Sequence, residues 1–473
     1  MPTRFALFCL VLSVLSVPTR SLAQNTEDQN NFDFSLPGAR SRGIGGAFVA
    51  VADDATSAYS NPAGLTLLFR PEISVEGRYW HLTSRTIDRG HGFGPATGIG
   101  TDTIEGFVDR DFQSNVVGLS FLSFVYPSDR WALGAFRHQL ARYEMDRQIV
   151  GPFFDCSGGF RDPVNPANGT EPFCEPHAMT DGVDREFPKL QSIDLDIHSY
   201  GTAFAYKFSE QLSAGVAVQF FDFSLTATNK VFQARGELGQ KYAPPDYTEP
   251  DNIEGISTQR GDDHAWAMNA GVLWNVAPKW VVGGSFRQGP KFAFATRLVS
   301  GPRAGNVIVN EQPDNSFHVP DTFSVGVMHR LTDFWHLTFE YDWINYQQLI
   351  EDFRNTAVDP TSPEGDLVID RARIDDANQF RFGAERLVLM TSGRVLALRG
   401  GIWHEPNHQT YFESDPSTGL PAPRWAVLLP RREGSWHVST GVGLTTRRHF
   451  QIDAAVDFSD LVDTLAISAV WRF

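Results

Sequence analysis

Apolar and polar residues alternate one by one near the end of the chain. From Thr464 to Phe473, Leu465, Ile467, Ala469, Trp471 and Phe473 interleave with Thr464, Ala466, Ser468, Val470 and Arg472. Phe450, Ile452, Ala454, Val456 and Phe458 interleave in the same way with Gln451, Asp453, Ala455 and Asp457. Trp335, Leu337, Phe339, Tyr341 and Trp343 do so with His336, Thr338, Glu340 and Asp342. A period of two with one apolar and one polar face predicts strands set between an apolar medium and a wet one. A soluble sandwich shows the same period, so the connections carry more weight. Fourteen candidate strands follow, at about 71–82, 113–126, 130–144, 190–207, 211–229, 264–275, 279–298, 316–330, 334–349, 376–389, 394–405, 435–446, 448–459 and 463–473. Tight turns such as Ser209-Glu210, Ala277-Pro278 and Thr332-Asp333 join alternate pairs. Most of the other connections are long and polar: 83–112, 145–189, 230–263, 299–315, 350–375 and 406–434. An even count with short turns gathered at one end predicts an all-β fold, a transmembrane antiparallel β-barrel with both termini on the periplasmic side. The chain closes on Trp471-Arg472-Phe473, which resembles the terminal aromatic signal read by the barrel-assembly machinery.

The N-terminal part breaks this pattern. Arg4 followed by the apolar run Phe5–Val17 and by Ser21-Leu22-Ala23 reads as a secretory signal peptide over residues 1–23. Residues 24–70 do not alternate. Gly43 to Ala52 is a small-residue apolar stretch, Asp53 or Asp54 is placed to cap a short helix, and Asn61-Pro62 is placed to end it. A barrel of about fourteen strands is too wide for side chains to fill. The expectation is therefore that 24–70 folds into the lumen of a barrel formed by 71–473.

Composition changes this picture little. Aromatics make up 12% of the chain, and the net charge of −16 disfavours nucleic acid as a partner. Cys156 and Cys174 remain after the signal peptide and most simply staple one long loop as a disulfide, with two free thiols as the alternative. The cysteines show no Cys-x-x-Cys or zinc-like spacing, and no cofactor motif is found.

Residues 38–64, with Asp53-Asp54-Ala55 and Asn61-Pro62-Ala63, resemble the N-terminal hatch of the FadL family of outer-membrane transporters. His318-Val319-Pro320-Asp321-Thr322-Phe323, Asp342-Trp343-Ile344-Asn345-Tyr346 and Leu398-Arg399-Gly400-Gly401-Ile402 extend the resemblance in order along the chain. It implies a fourteen-stranded barrel plugged by a hatch. Ligand would move to a pocket beside the hatch and leave through a gap in the wall. Asn61, Pro62 and Ala63 would then sit at the hatch turn, with Asp53 and Asp54 helping to hold it. The implied partners are long-chain fatty acids or hydrocarbons, outer-membrane lipid and lipopolysaccharide, for a monomer that is not an enzyme.

Alternation parity points His198, His336, Arg381, Arg399 and His437 into the lumen, as solvated wall residues or as contacts for a ligand carboxylate. His404-Glu405-Pro406-Asn407-His408 spells the letters of a zinc peptidase motif, but Pro406 obstructs the helix that chemistry needs. Asp246, Glu249, Asp251, Asp262 and Asp263 read as solvated acidic loops, or as divalent-cation contacts beside lipopolysaccharide. A diffusion porin and a secretion-associated barrel stay open as competing readings.

Overall fold

The computed structural model describes residues 36–155, 160–161, 170–171, 182–233, 241–300, 308–350, 372–412, 430–446 and 449–473. The expected signal peptide and both Cys156 and Cys174 lie outside the described residues.

Fourteen antiparallel strands close into a barrel. In chain order they are β1 (Glu72–Gly92), β2 (Gly106–Pro127), β3 (Trp131–Ile149), β4 (Lys189–Lys207), β5 (Leu212–Phe232) and β6 (Ile253–Ala277). Strand β7 comes in two pieces, Trp280–Arg287 and Lys291–Ser300, and β8 in two, Ile308–His318 and Thr322–Thr332. Then follow β9 (Trp335–Ile344), β10 (Ala377–Leu389), β11 (Val395–Glu405), β12 (Ser435–Thr446), β13 (Phe450–Ser459) and β14 (Val462–Arg472). β14 returns to β1 from Glu72↔Arg472 to Leu82↔Val462, so the sheet has no free edge there.

The apolar face points outward. Ile467, Trp471, Ile452 and Phe458 are exposed, while their polar neighbours Ser468, Asp453 and Asp457 are buried. A soluble sandwich buries the opposite face, and this inversion is what a lipid-facing wall requires. On β6 the outward residues from Trp266 to Val276 form an apolar band about 25 Å tall at ordinary strand rise and tilt.

β1 and β6 run about ten residues beyond the predicted limits at the end away from the tight turns, β2 and β3 run a shorter way beyond theirs, and β4 and β5 end near theirs. Stretches such as 83–92 lack an outward apolar face, so they read as loop, yet β1 and β2 stay laddered up to Gly90↔Phe107. In the outer part of these strands the apolar face changes sides. On β5, Val216, Val218 and Phe220 face outward, and then Phe221, Phe223 and Leu225 face inward. On β4 the outward face runs from Tyr206, Phe204 and Tyr200 to His198, Asp196 and Asp194, while Ile197, Leu195 and Ile193 turn in. Above the aromatic girdle the barrel is polar outside and apolar inside.

Candidate functional site within the barrel

Residues 36–69 lie against the inner surface of the wall. They form α1 (Ala39–Gly43), α2 (Ser57–Ser60) and a 3-10 turn, Pro62–Leu67. α2 ends where Asn61 turns extended, at φ −152°. The side chain of Asn61 then accepts from Ala63 N at 3.2 Å and caps the 3-10 turn. The capping expectation for Asp54 is corrected: its Oδ1 accepts from Thr56 N at 2.9 Å, one turn ahead of the helix, and the helix start carries no side-chain cap. Burial pushes the Asp54 carboxyl above the ordinary aspartate range, with Arg40 and Thr56 pulling the other way.

The segment sits on glycines of the wall. Gly215 of β5 pairs with Gly271 of β6, and Gly383 of β10 with Gly401 of β11. A Cβ on Gly283 would come within 2.3 Å of Val49 O, and one on Gly401 within 2.2 Å of Gly45 N. Glycine inside a strand marks the close approach of another backbone, and here that backbone is the N-terminal segment. Asn61 adds two donated hydrogen bonds, to Val49 O at 2.7 Å and across to Val272 O of β6 at 3.2 Å. Glu340 of β9 accepts from Val49 N at 2.7 Å, and Asn269 of β6 donates to Tyr59 O at 3.0 Å.

Buried ion pairs complete the attachment. Arg40 contacts Asp53 and donates to Glu385 of β10 at 3.1 Å. The same carboxylate receives Arg399 at 2.8 Å, and His336 lies 3.3 Å away. Arg399 also reaches Asp453 at 2.6 Å. Arg42 pairs with Asp457 at 3.3 Å, which also takes His437 at 3.1 Å, and His437 meets Glu405 at 3.3 Å on its other side. Arg381 donates to Asp342 at 2.7 Å and to Gly45 O at 3.2 Å, and lies 3.9 Å over the Trp403 ring. His336, Arg381, Arg399 and His437 thus face inward, and each is engaged with a carboxylate.

His198 is a correction. It points outward and pairs with Asp196 at 3.2 Å. At this height Ile193, Leu195 and Ile197 take the inner face, so the parity to which His198 belongs is the outer one. Asp262 also lies outside, where it, Asp222 and His264 bring oxygen and nitrogen atoms within 4.8 Å of one another. Asp222 and His264 already satisfy each other there at 3.1 Å. Asp246 accepts from Thr248 N at 3.0 Å and Glu249 caps the short turn Pro250–Asn252, as loop residues do. His404 sits on β11 rather than on a helix, against Trp436.

Sequence reasoning missed Arg287. It lies on the inward parity of β7 with Nη1 buried, and among the described residues its side chain has no hydrogen-bond or ion-pair partner. It borders a small cavity of about 30 Å³ shared with Ser41, Thr322, Gln379 and Trp403. It also faces Tyr59: burial pushes the Tyr59 hydroxyl above its ordinary range, and the Arg287 guanidinium pulls it back. No spacing signals an arginine of this kind, because its neighbours come from distant strands.

From this level outward the lumen is lined by one continuous apolar cluster that includes Tyr59, Leu65, Trp80, Phe136, Phe221 and Phe292. The wall beside it is interrupted. β2 and β3 pair only from Phe121↔His138 to Pro127↔Ala132, although β3 pairs with β4 all the way to Ile149↔Lys189. The separation begins at a bulge between Gln139 and Ala141, where Leu140 turns into the buried cluster. Above it, β1 picks up a parallel pairing with the short strand Phe153–Asp155, which closes the top of the opening.

A closed, apolar-skinned barrel with an interior segment and an apolar inner tract defines a class: outer-membrane barrels that pass small molecules. Residues 188–458 match the model of the outer membrane protein transport protein family (OMPP1/FadL/TodX), and the chain belongs to that family. Its place is the bacterial outer membrane, and the family is one of transporters rather than enzymes. Among solved structures it resembles a Pseudomonas aeruginosa FadL homologue at 13% identity, with 93% of this chain and 99% of that one covered and a TM-score of 0.56. The Pseudomonas putida toluene transporter TodX gives 15% identity, 93% and 99% coverage and a TM-score of 0.53. The Ralstonia pickettii toluene transporter TbuX gives 15%, 93% and 99%, and 0.52. At these identities the likeness speaks for the fold. No curated protein matches the chain.

Proposed function

We propose that this protein carries hydrophobic small molecules across the outer membrane, and that residues 24–70 act as a hatch whose rearrangement governs passage. The observation that carries the reading is the change of sides by the apolar face. An inward row such as Phe221, Phe223 and Leu225 buries apolar surface where the barrel's outer end meets water, and it also continues an apolar tract along which apolar solutes can travel. Burying one methylene is worth about 0.8 kcal/mol, so such a tract concentrates long-chain or aromatic compounds from dilute solution. No gradient other than the ligand's own is required. The hatch lowers affinity when it shifts, and the opening between β2 and β3 offers a sideways route into lipid. Asn61, Pro62 and Ala63 form the hatch turn that rests on β5 and β6, and Asp53 and Asp54 hold its start.

Arg287 narrows the substrate class. Arg40, Arg42, Arg381 and Arg399 are committed to carboxylates of the protein, and Arg287 is not. It is suited to take the acidic head of a fatty-acid-like ligand whose chain lies in the apolar tract. A charge-assisted hydrogen bond is worth about 1.5–3 kcal/mol. Replacing Arg287→Met is therefore expected to cut oleate uptake by about tenfold or more while toluene uptake persists. The measurement is uptake of labelled oleate and toluene by cells with the protein, with the variant and with neither. Equal oleate uptake by variant and parent would remove Arg287 from the ligand path, and no uptake of either compound above the empty cells would remove the transport reading itself.

Hatch geometry gives a further expectation. Asn61→Ala loses the bonds to Val49 O and Val272 O, and it should change uptake rates with the barrel still assembled, as read by heat-modifiable migration on a gel. Uptake identical to the parent would argue against a gating role for that turn.

A further inference from the structure

The wall has a second interruption, four strands away from the one at β3. β6 pairs with the upper piece of β7 from Gly255↔Ser300 to Arg260↔Ala295, and with the lower piece from Asn269↔Arg287 downward. Between these ladders residues 261–268 of β6 pair only with β5. β7 breaks at 288–290 and β8 breaks at 319–321, so the two strands bend together, tied by Val319 N donating to Pro290 O at 2.9 Å. The gap is tied at its foot and above. Gln288 N donates to Met268 O at 3.0 Å at its foot, and a side chain stands in for the missing ladder above, where Asp263 Oδ2 accepts from Ala293 N at 2.6 Å.

What lies behind the gap is aromatic. Phe223 and Phe292 stack with ring centres 4.7 Å apart and planes 8° from parallel, and Phe317 continues the stack at 6.0 Å from Phe223. Phe221 meets Phe292 edge-on. The inward residues facing this stack from β6 are small: Gly261, where a Cβ would lie 2.4 Å from the Phe223 ring, and Ala265, half-buried against the same cluster. Outside, Trp266 and Met268 are 68% and 51% exposed at the upper limit of the lipid-facing band. A broken ladder, tied by Gln288 N at its foot and by the Asp263 carboxylate above, therefore separates lipid at the aromatic girdle from parallel rings within.

Resting on the transport reading above, we propose that this break is a second lateral port, selective for flat uncharged aromatic hydrocarbons dissolved in the outer leaflet. Asp263 latches it, and the phenylalanine stack receives the ring. A planar ring slots between or onto parallel rings at the spacing aromatic pairs favour, whereas a flexible acyl chain has no flat face to set against them.

The test is photolabelling of the purified protein in lipid with a tritiated phenyl diazirine, followed by peptide mapping. Label is expected on 261–268 and 289–294, displaced by excess toluene and not by oleate. Label confined to other parts of the lumen overturns the port. A functional arm uses Ala265→Trp, which fills the gap. Once heat-modifiable migration shows that it assembles, toluene uptake is expected to fall by about threefold or more, and by more than oleate uptake. Unchanged toluene uptake by the assembled variant overturns the port as well. If Ala265→Trp fails to assemble, the labelling pattern decides. The photolabelling reads the site without any transport, so loss of the transport reading and loss of the port are told apart.

Discussion

A Gly283→Val variant is expected to assemble as a barrel and to conduct ions where the parent is quiet. Valine favours strands, and position 283 keeps its backbone pairing with Leu273 and Gly326, so the ladder itself has no reason to fail. The added carbon instead meets Val49 O at 2.3 Å, and a backbone atom cannot swing aside as a side-chain tip does. The N-terminal segment must then lift from β7 and β8. A barrel of this strand number with an unseated interior holds a water channel, so single-channel conductance should rise about tenfold or more. Planar-bilayer recording checks it, with heat-modifiable migration as the control for assembly. An assembled variant as silent as the parent would show that the segment does not close the pore.

Replacing Glu385→Leu is expected to be the most destabilising single change in the lumen. This carboxylate receives Arg40 from the segment and Arg399 from β11, with His336 of β9 at 3.3 Å. Removing one partner of a buried pair typically costs about 3–5 kcal/mol, because the other charges stay buried without it. Urea unfolding in lipid vesicles is the measurement, and the midpoint should fall accordingly. Adding Arg399→Met to Glu385→Leu should recover part of the loss, since it withdraws one stranded cation. A cost below about 1 kcal/mol, the size of an exposed pair, would mean that water reaches the cluster.

Strand identity was legible where one face meets lipid along the whole element. β9, β13 and β14 carry Trp335 to Trp343, Phe450 to Phe458 and Leu465 to Phe473 on one parity, and each of these faces is outward. The tight turns were legible for the same reason. Strand length was not, because 83–92 and 253–263 continue pairing beyond the lipid, where hydropathy has no constant outer reference. The same change of medium misplaced His198. The pair Phe220-Phe221 is the local mark of that change, since adjacent aromatics cannot both face lipid. The breaks in β7 and β8 had a sequence sign in Gly289-Pro290 and Pro320, as proline withholds the donor a ladder needs. Of the interior residues, His336, Arg381, Arg399 and His437 followed from parity. Their partners did not, because Arg40–Glu385 and Arg42–Asp457 join positions 345 and 415 residues apart. The seat of the segment was written in strand glycines at inward parity, Gly215, Gly271, Gly283, Gly383 and Gly401, a signal that becomes readable only once the inner face is known.

Those separations also set an order of events. Arg42 emerges from synthesis hundreds of residues ahead of Asp457, and Gly283 and Gly401 offer their surfaces only when neighbouring strands hold them in a curved wall. The first-made piece of the mature chain therefore has nowhere to rest until the cylinder is shut. Contacts so distant in sequence form late, after the entropy of closing long loops has been met. The seating of residues 36–69 against the inner wall is therefore expected to follow closure of the cylinder rather than to guide it.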